Sequence, residues 1–116
     1  MSFVFKSDIP IYLQIIEHIK MQIIRKEYKP YDRLPSVREL SLVFEVNPNT
    51  VQKALLELEE TGLIFTERTN GKFVTGDMEV IKRVTEETLS DMVGDFLLSM
   101  QKLGYSKEQV LKIIKG

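Results

Sequence analysis

The sequence predicts a mainly α-helical fold that contains one small β-hairpin, and three observations support this prediction. Apolar residues recur three and four positions apart both before residue 28 and after residue 77, which is typical of amphipathic helices. Two helix-start motifs lie close together in the middle of the chain, and two β-prone runs flank the dipeptide Asn70-Gly71. With 116 residues, the chain can hold one core of ordinary size and a short appended element, which excludes a large second domain.

The first helix is predicted to run from Pro10 to Tyr28. Its apolar residues form the stripe of an amphipathic helix, and Asp8 is the expected N-cap. The sequence K-P-Y-D at residues 29–32 then ends the helix, because the residue before a proline avoids the helical conformation.

Two further helix starts lie about a dozen residues apart. Ser36 and Glu39 have the spacing of a capping box, in which the side chain of each residue accepts a hydrogen bond from the backbone N–H of the other. Asn47 is a strong N-cap, and Pro48 is tolerated at the first helical position because its missing N–H would have no partner there. A tight turn at residues 45–46 joins the two helices. This arrangement predicts a helix-turn-helix, whose second helix typically enters the major groove of DNA.

The third helix is predicted to continue to Thr61, where Gly62 offers a left-handed C-terminal cap. A β-hairpin is expected next, with strands at residues 63–67 and 72–75 and a two-residue type I′ turn at Asn70-Gly71. Three helices followed by a hairpin is the order of a winged helix-turn-helix, which is assigned to residues 1–76.

Residues 77–116 are predicted to form a two-helix dimerisation tail. A charged helix runs from Asp77 to Leu103, Gly104 ends it, and Ser106 with Gln109 forms a capping box for a final helix. About forty residues in two helices cannot enclose a core of their own, so part of their apolar stripe should be buried against a second subunit. The residues expected at this interface are Leu89, Met92, Val93, Phe96, Leu97, Met100, Leu103, Val110, Ile113 and Ile114.

The composition limits the possible functions. The chain contains no cysteine, which excludes disulfides and thiolate metal sites and favours an intracellular setting. No segment is apolar enough for a signal peptide or a membrane span, so a soluble, cytoplasmic protein without a membrane partner is expected. The formal net charge of −1 argues against nonspecific coating of nucleic acid. Any DNA binding therefore needs cations gathered on one face, and is expected to need two copies of the chain.

Nothing in the sequence predicts an enzyme, a metal site or a cofactor. His18 is the single histidine, and it lies on an isoleucine-rich helix without a cluster of partner residues. The acidic run at residues 57–60 is interpreted as a solvated face, because metal ligation would need inward carboxylates from several helices. The sequence contains neither a nucleophile elbow nor a phosphate-cradling glycine loop.

Five motifs occur in a characteristic order along nearly the whole chain. They are P-I-Y-L-Q-I at residues 10–15, D-R-L-P-S-V-R-E-L at 32–40, V-N-P-N-T-V at 46–51, E-L-E-E-T-G-L-I at 57–64 and G-K-F-V at 71–74. This order resembles the GntR family of bacterial transcription regulators, and the short helical tail resembles its YtrA subfamily. The resemblance implies a dimer in which Arg38 and residues 47–53 touch DNA, the wing reaches the neighbouring groove or backbone, and the tail helices dimerise. The genes of subfamily members often lie beside genes for membrane transporters.

Three positions depart from the family pattern. Tyr31 stands where a glycine is common, so the turn there must avoid a positive φ or tolerate strain. Thr69 replaces the first glycine of the usual R-G-x-G of the wing, and Asn70 is expected to take over part of its role because asparagine tolerates the left-handed region. Lys53 replaces an arginine and lacks the planar fork suited to guanine or phosphate, so a less specific contact is expected there.

The residues expected at DNA lie at the helix starts and on the wing. Asn49 is the most informative, because an uncapped amide in the first turn has low helix propensity and no evident structural role. Asn47 and Pro48, in contrast, would cap any helix, and charges beside a hairpin turn often serve solubility alone. The predicted DNA-binding set is Arg33, Ser36, Arg38, Asn47, Pro48, Asn49, Thr50, Gln52, Lys53, Arg68, Thr69, Asn70, Gly71 and Lys72.

The first functional hypothesis is a homodimeric, sequence-specific transcription regulator, expected to be a repressor, that binds a palindromic operator in double-stranded DNA. Half-site centres would lie roughly 10 to 20 bp apart. The competing hypothesis is a winged-helix module that binds another protein and no DNA, which the near-neutral charge favours. A third hypothesis adds a small-molecule effector as a partner, whose site would be a cleft shared between domains or subunits.

Overall fold

The computed structural model describes residues 3–116, which form five α-helices and one two-stranded antiparallel sheet. In chain order, the elements are α1 (Ile11–Ile24), α2 (Val37–Phe44), α3 (Pro48–Glu60), β1 (Ile64–Glu67), β2 (Gly71–Val74), α4 (Met78–Lys102) and α5 (Lys107–Lys115). The predicted fold class, a winged helix-turn-helix followed by two helices, is confirmed. The chain divides into two compact units, one extending to Lys82 and the other comprising Arg83–Gly116.

The core of the first unit holds α3 against α1. Ile15 and Ile19 of α1 and Val51 and Leu55 of α3 are fully buried, and α2 and β1 also pack against α3. Burying an aliphatic side chain of this size stabilises a fold by about 1.5–3 kcal/mol. The opposite face of α3 is thereby fixed in orientation and left free of the core.

The predicted capping motifs of α2, α3 and α5 are confirmed. Ser36 Oγ accepts a hydrogen bond from the backbone N–H of Glu39 at 3.0 Å, and the Glu39 carboxylate accepts one from the backbone N–H of Ser36 at 3.1 Å. These hydrogen bonds lower the pKa of Glu39 below its usual value. Asn47 Oδ1 caps α3 by accepting from the backbone N–H of Asn49 at 2.8 Å. The Ser106–Gln109 capping box at the start of α5 is also complete.

For α1, the predicted start at Pro10 lies within one residue of the observed one, but the predicted N-cap and the predicted end are wrong. Asp8 does not cap the helix, which begins without a side-chain cap. Instead, the side-chain amide of Gln14 makes three hydrogen bonds of 2.8–2.9 Å to backbone groups of the preceding segment. The helix ends at Ile24 rather than near Tyr28, because Lys26 adopts a left-handed conformation with φ of 64°.

The predicted two-residue hairpin turn is also wrong. Glu67 pairs with Gly71 across the sheet, which leaves a loop of three residues, 68–70. The backbone N–H of Asn70 donates to the carbonyl of Glu67 at 3.1 Å, and Gly71 follows with φ of 102°. Gly71, and not Asn70, therefore supplies the positive φ in this wing.

Tyr31 tolerates the left-handed conformation rather than avoiding it. Its φ is 68°, and its backbone N–H donates to the carbonyl of Val74 at 2.9 Å. The Tyr31 ring covers the backbone of Gly76 so closely that a β-carbon on Gly76 would overlap the ring. This packing and the hydrogen bond to β2 hold the turn in place despite the missing glycine.

Glu45, which ends α2 with φ of 57°, provides a test of backbone strain in the helix-turn-helix. A non-glycine residue in this region costs about 1 kcal/mol. We expect Glu45→Gly to raise the free energy of unfolding by about 1 kcal/mol, measured by urea denaturation. Glu45→Ala is the matched control, because it removes the charge and keeps the β-carbon. An equal gain in both variants would assign the effect to charge rather than to backbone conformation.

The second unit leaves much apolar surface exposed. Its buried residues are Val84, Thr88 and Val110, so Val110 belongs to the interior of its own chain and adds no surface to the predicted dimer interface. Leu97 and Met100 are half-buried. The other predicted interface residues are exposed, namely Leu89, Met92, Val93, Phe96, Leu103, Ile113 and Ile114.

Within residues 3–116, the structure contains no helix with the length and apolarity that a bilayer span requires.

Candidate nucleic-acid interface

The first two turns of α3 present a polar surface. Asn47, Asn49, Gln52 and Lys53 are exposed, and Thr50 is half-buried. Asn47 uses its side-chain oxygen as the helix cap. The side-chain amide of Asn49, in contrast, has no hydrogen-bond partner within the described part of the chain. It therefore keeps both its donors and its acceptor for an external partner.

Lys53 has a partner on α1. Its ammonium nitrogen lies 3.9 Å from the centroid of the Tyr12 ring, well within the distance of a cation–π interaction. The sequence predicts Tyr12 as part of the apolar stripe of α1 but not as a site residue.

The start of α2 and the wing enclose a cleft of about 260 Å³. The backbone joins the two sides, because the N–H of Leu34 donates to the carbonyl of Lys72 at 2.8 Å. The Arg33 side chain lies along Gly71, where a β-carbon would stand 3.3 Å from Arg33 Nε. Arg68 also lines this cleft. Two arginines that line one cleft suit an anion such as a backbone phosphate.

Lys72 is tied to the base of the wing. Its ammonium lies 3.3 Å from the Glu59 carboxylate and 2.8 Å from the Thr66 hydroxyl, and Thr66 itself donates to Glu59. The side chains of Lys72 and Glu59 are only 15% and 23% exposed. The sequence predicts Lys72 as a DNA contact, whereas the structure engages its ammonium within the chain, between α3 and both strands.

We expect Lys72→Met to lower the free energy of unfolding by about 1–2 kcal/mol, because it leaves the half-buried Glu59 without its cation. Arg68→Met is the matched control. Arg68 is exposed in the wing loop, and its loss should change stability by no more than about 0.5 kcal/mol. Urea denaturation measures both. A Lys72→Met protein as stable as the control would mean that the lysine is available to an outside partner after all.

The remaining predicted residues lie around these features. Arg38 is exposed on α2, and Thr69 is exposed in the wing loop. Ser36 is occupied by the capping box, and the Asn70 amide lies 3.5 Å from the Glu67 carboxylate. The structure thus gathers most of the predicted set in two areas, the tip of α3 and the cleft between α2 and the wing, whereas Arg38 stands on α2 outside the cleft lining. It also adds Tyr12, Glu59 and Thr66, which the sequence analysis did not select.

His18 of α1 belongs to an aromatic cluster. Its ring lies edge-on to Phe3 and Phe44, with centroid distances of 4.8 and 5.5 Å. Burial in this cluster lowers the pKa of His18, and the nearby Arg25 lowers it further. Within residues 3–116, no group of three or more histidine, aspartate or glutamate side chains is arranged to hold a metal ion.

The segment that builds this interface matches a known family. The family described as bacterial regulatory proteins, gntR family, matches residues 11–74, which extend from the start of α1 to the end of β2. The chain belongs to the GntR family.

Two curated relatives in this family come from Bacillus subtilis. The uncharacterized HTH-type transcriptional regulator YhcF is 39% identical over 111 residues, which cover 96% of this chain and 92% of YhcF. The HTH-type transcriptional repressor YtrA is 40% identical over 95 residues, covering 74% of this chain and 73% of YtrA. The GntR similarity thus extends beyond the winged helix into the tail.

Solved GntR structures share the fold. A GntR family transcriptional regulator from Listeria monocytogenes superposes with a TM-score of 0.87 and 40% identity, covering 96% of this chain and 97% of that one. The DNA-binding domain of AraR, solved in complex with the operator ORE1, superposes with a TM-score of 0.57 and 28% identity. That match covers 65% of this chain and 94% of the AraR domain.

Proposed function

We propose that this GntR-family chain is a sequence-specific DNA-binding transcription regulator that acts as a homodimeric repressor. The observation that carries the proposal is the exposed tip of α3, where amides, a hydroxyl and a cation stand on a helix whose other face is fixed in the core. A helix of this kind suits the major groove of DNA. The names of YtrA as a repressor and of AraR as an operator-bound domain support the same function.

The competing function, a protein-binding module, fits the tip of α3 less well. Protein interfaces concentrate their binding energy in aromatic, arginine and large apolar anchors. The first two turns of α3 expose no aromatic and no large aliphatic side chain. Their donors and acceptors are instead the groups that pair with base edges and phosphates.

We assign the roles within the interface according to the position of each side chain and the partners that it already has within the described chain. Asn49, whose side-chain amide has no hydrogen-bond partner within the described chain, is the principal base-reading residue, with Asn47 and Lys53 beside it. Arg38, Thr50 and Gln52 position the helix on the phosphate backbone. Arg33 and Arg68 line the cleft between α2 and the wing, and we assign them to a backbone phosphate.

The tail supports assembly into a homodimer. The exposed apolar residues Leu89, Met92, Phe96 and Leu103 recur three, four and seven positions apart along α4 and just beyond its end, which is the spacing of a helix–helix seam. A continuous apolar surface of this kind usually marks an interface. Two-fold pairing would give a palindromic operator, and by the subfamily resemblance we propose a transporter operon as the target. Pairing also doubles the phosphate contacts of a chain whose net charge is only −1.

The test is direct titration of the purified protein against a fluorescent fragment of its own promoter region, at several salt concentrations and with nonspecific competitor present. The expected result is tight binding that survives competitor and weakens steeply with salt, by a logarithmic slope of about −0.9 for each phosphate neutralised. Absence of binding even at low salt would favour the protein-interaction module.

A further inference from the structure

The contact between Tyr12 and Lys53 joins α1 to the exposed face of α3. The Tyr12 ring is half-buried near the start of α1, and the Lys53 ammonium stands 3.9 Å from its centroid. The buried pairing of α1 with α3, through residues such as Ile15 and Val51, keeps these two helices at a constant separation. The ring therefore stands on a helix that the core holds beside α3.

Lys53 engages the ring although an alternative partner is close in sequence. Glu57 follows four residues later on the same helix, a spacing at which lysine and glutamate commonly pair. The structure records no ion pair between them, and the Tyr12 ring is the contact that it gives to the Lys53 ammonium within residues 3–116. The side chain is thus directed across to α1 and away from the C-terminal half of α3.

A cation held on a ring face remains able to bind an anion. The ammonium has three N–H donors, and the ring occupies only the side that faces it. A free lysine side chain loses many rotamers when it binds, whereas one already confined by a ring loses fewer, so that binding is less costly. Confinement of this kind also orients the lysine ammonium, because lysine lacks the rigid fork that orients arginine.

We propose that Tyr12 is a positioning residue that holds the Lys53 ammonium at the DNA-facing tip of α3. The proposal rests on the DNA-binding function argued above and adds to it a residue of α1 that itself need not touch DNA. The Tyr12 ring, rather than its hydroxyl, carries this role, because the interaction is made by the ring face.

The test is a double-mutant cycle on operator binding. We expect Tyr12→Leu to weaken binding about two- to five-fold, the range of an exposed cation–π contact, and Tyr12→Phe to bind like the unmodified protein. In a Lys53→Met background, Tyr12→Leu should have no further effect. Independently of DNA, NMR should show ring-current shifts on the Lys53 side chain that vanish in Tyr12→Leu and persist in Tyr12→Phe.

Three outcomes would overturn the proposal. An equal loss from Tyr12→Leu whether Lys53 is present or replaced would mean that Tyr12 acts through helix packing, and thermal unfolding would then show a matching loss of stability. A gain in affinity for Tyr12→Leu would mean that the ring withholds the lysine from DNA. Absence of ring-current shifts would mean that the contact between Tyr12 and Lys53 does not form in solution. Failure of the DNA-binding function is distinguishable, because the unmodified protein would then bind no operator, and the proposed role of Tyr12 would fall with it.

Discussion

Phe96→Asp is expected to leave each chain folded and to weaken operator binding at least ~100-fold. Phe96 is 47% exposed in the single chain, so an aspartate there can remain solvated without disturbing the fold. In a dimer seam, the same carboxylate would be buried without a partner, which is strongly unfavourable. Separated chains would bind half-sites singly and would lose the effective concentration that a linked second site provides, commonly a factor of about 10²–10⁴.

Sedimentation or light scattering gives the first readout for this variant. The mass should fall from twice the chain mass of 13.5 kDa to the chain mass itself, while circular dichroism stays unchanged. Ser90→Asp is the matched control, because Ser90 is exposed on the same helix and lies outside the apolar seam. A Phe96→Asp protein that remains dimeric and binds operator normally would place the dimer interface elsewhere.

Asn49→Ala is expected to separate DNA recognition from stability. Loss of a base-reading amide should weaken specific binding by about 1–3 kcal/mol, or roughly 5- to 150-fold, and should relax the preference at one base position. Stability should hold or rise slightly, because alanine is a better helix former than asparagine and the Asn49 side chain makes no hydrogen bond within the described chain. Competition between operator and random DNA measures the first effect, and urea denaturation the second.

Gln52→Ala is the comparison for Asn49→Ala, since both remove an exposed amide from α3. If Gln52 contacts phosphate as proposed, its loss should weaken operator and random DNA alike. An Asn49→Ala protein with unchanged affinity and unchanged sequence preference would remove Asn49 from base reading.

The helix starts were predictable because their causes are local. A capping box needs only two residues three positions apart, and Asn47 acts on the next turn of its own helix. The start of α1 was not predictable in this way, because Gln14 reaches back to the preceding segment and leaves Asp8 without a capping role. The wing turn was mispredicted because Asn-Gly suits a two-residue turn, whereas the pairing of Glu67 with Gly71 sets a loop of three residues.

The candidate site shows the same difference between local features and features that depend on packing. The tip of α3 is polar because of residues close together in the sequence, so the sequence alone predicted its polar character. The contacts that fix individual cations depend on packing between elements. Lys53 meets Tyr12 of α1, and Lys72 meets Glu59 thirteen residues earlier in the chain. No spacing rule within one helix or one hairpin indicates such pairs, because they exist only after the core has brought the elements together.

The link between Glu59 and Lys72 has a consequence for how the winged helix meets a partner. It joins β2 to the last turn of α3, so it links the base of the wing to the helix that we propose to read DNA. A DNA surface that fits the tip of α3 is then expected to fit the wing as well, at the distance between them that the fold sets. For the proposed DNA binding, we therefore expect the wing and the tip of α3 to meet the partner together and not one after the other.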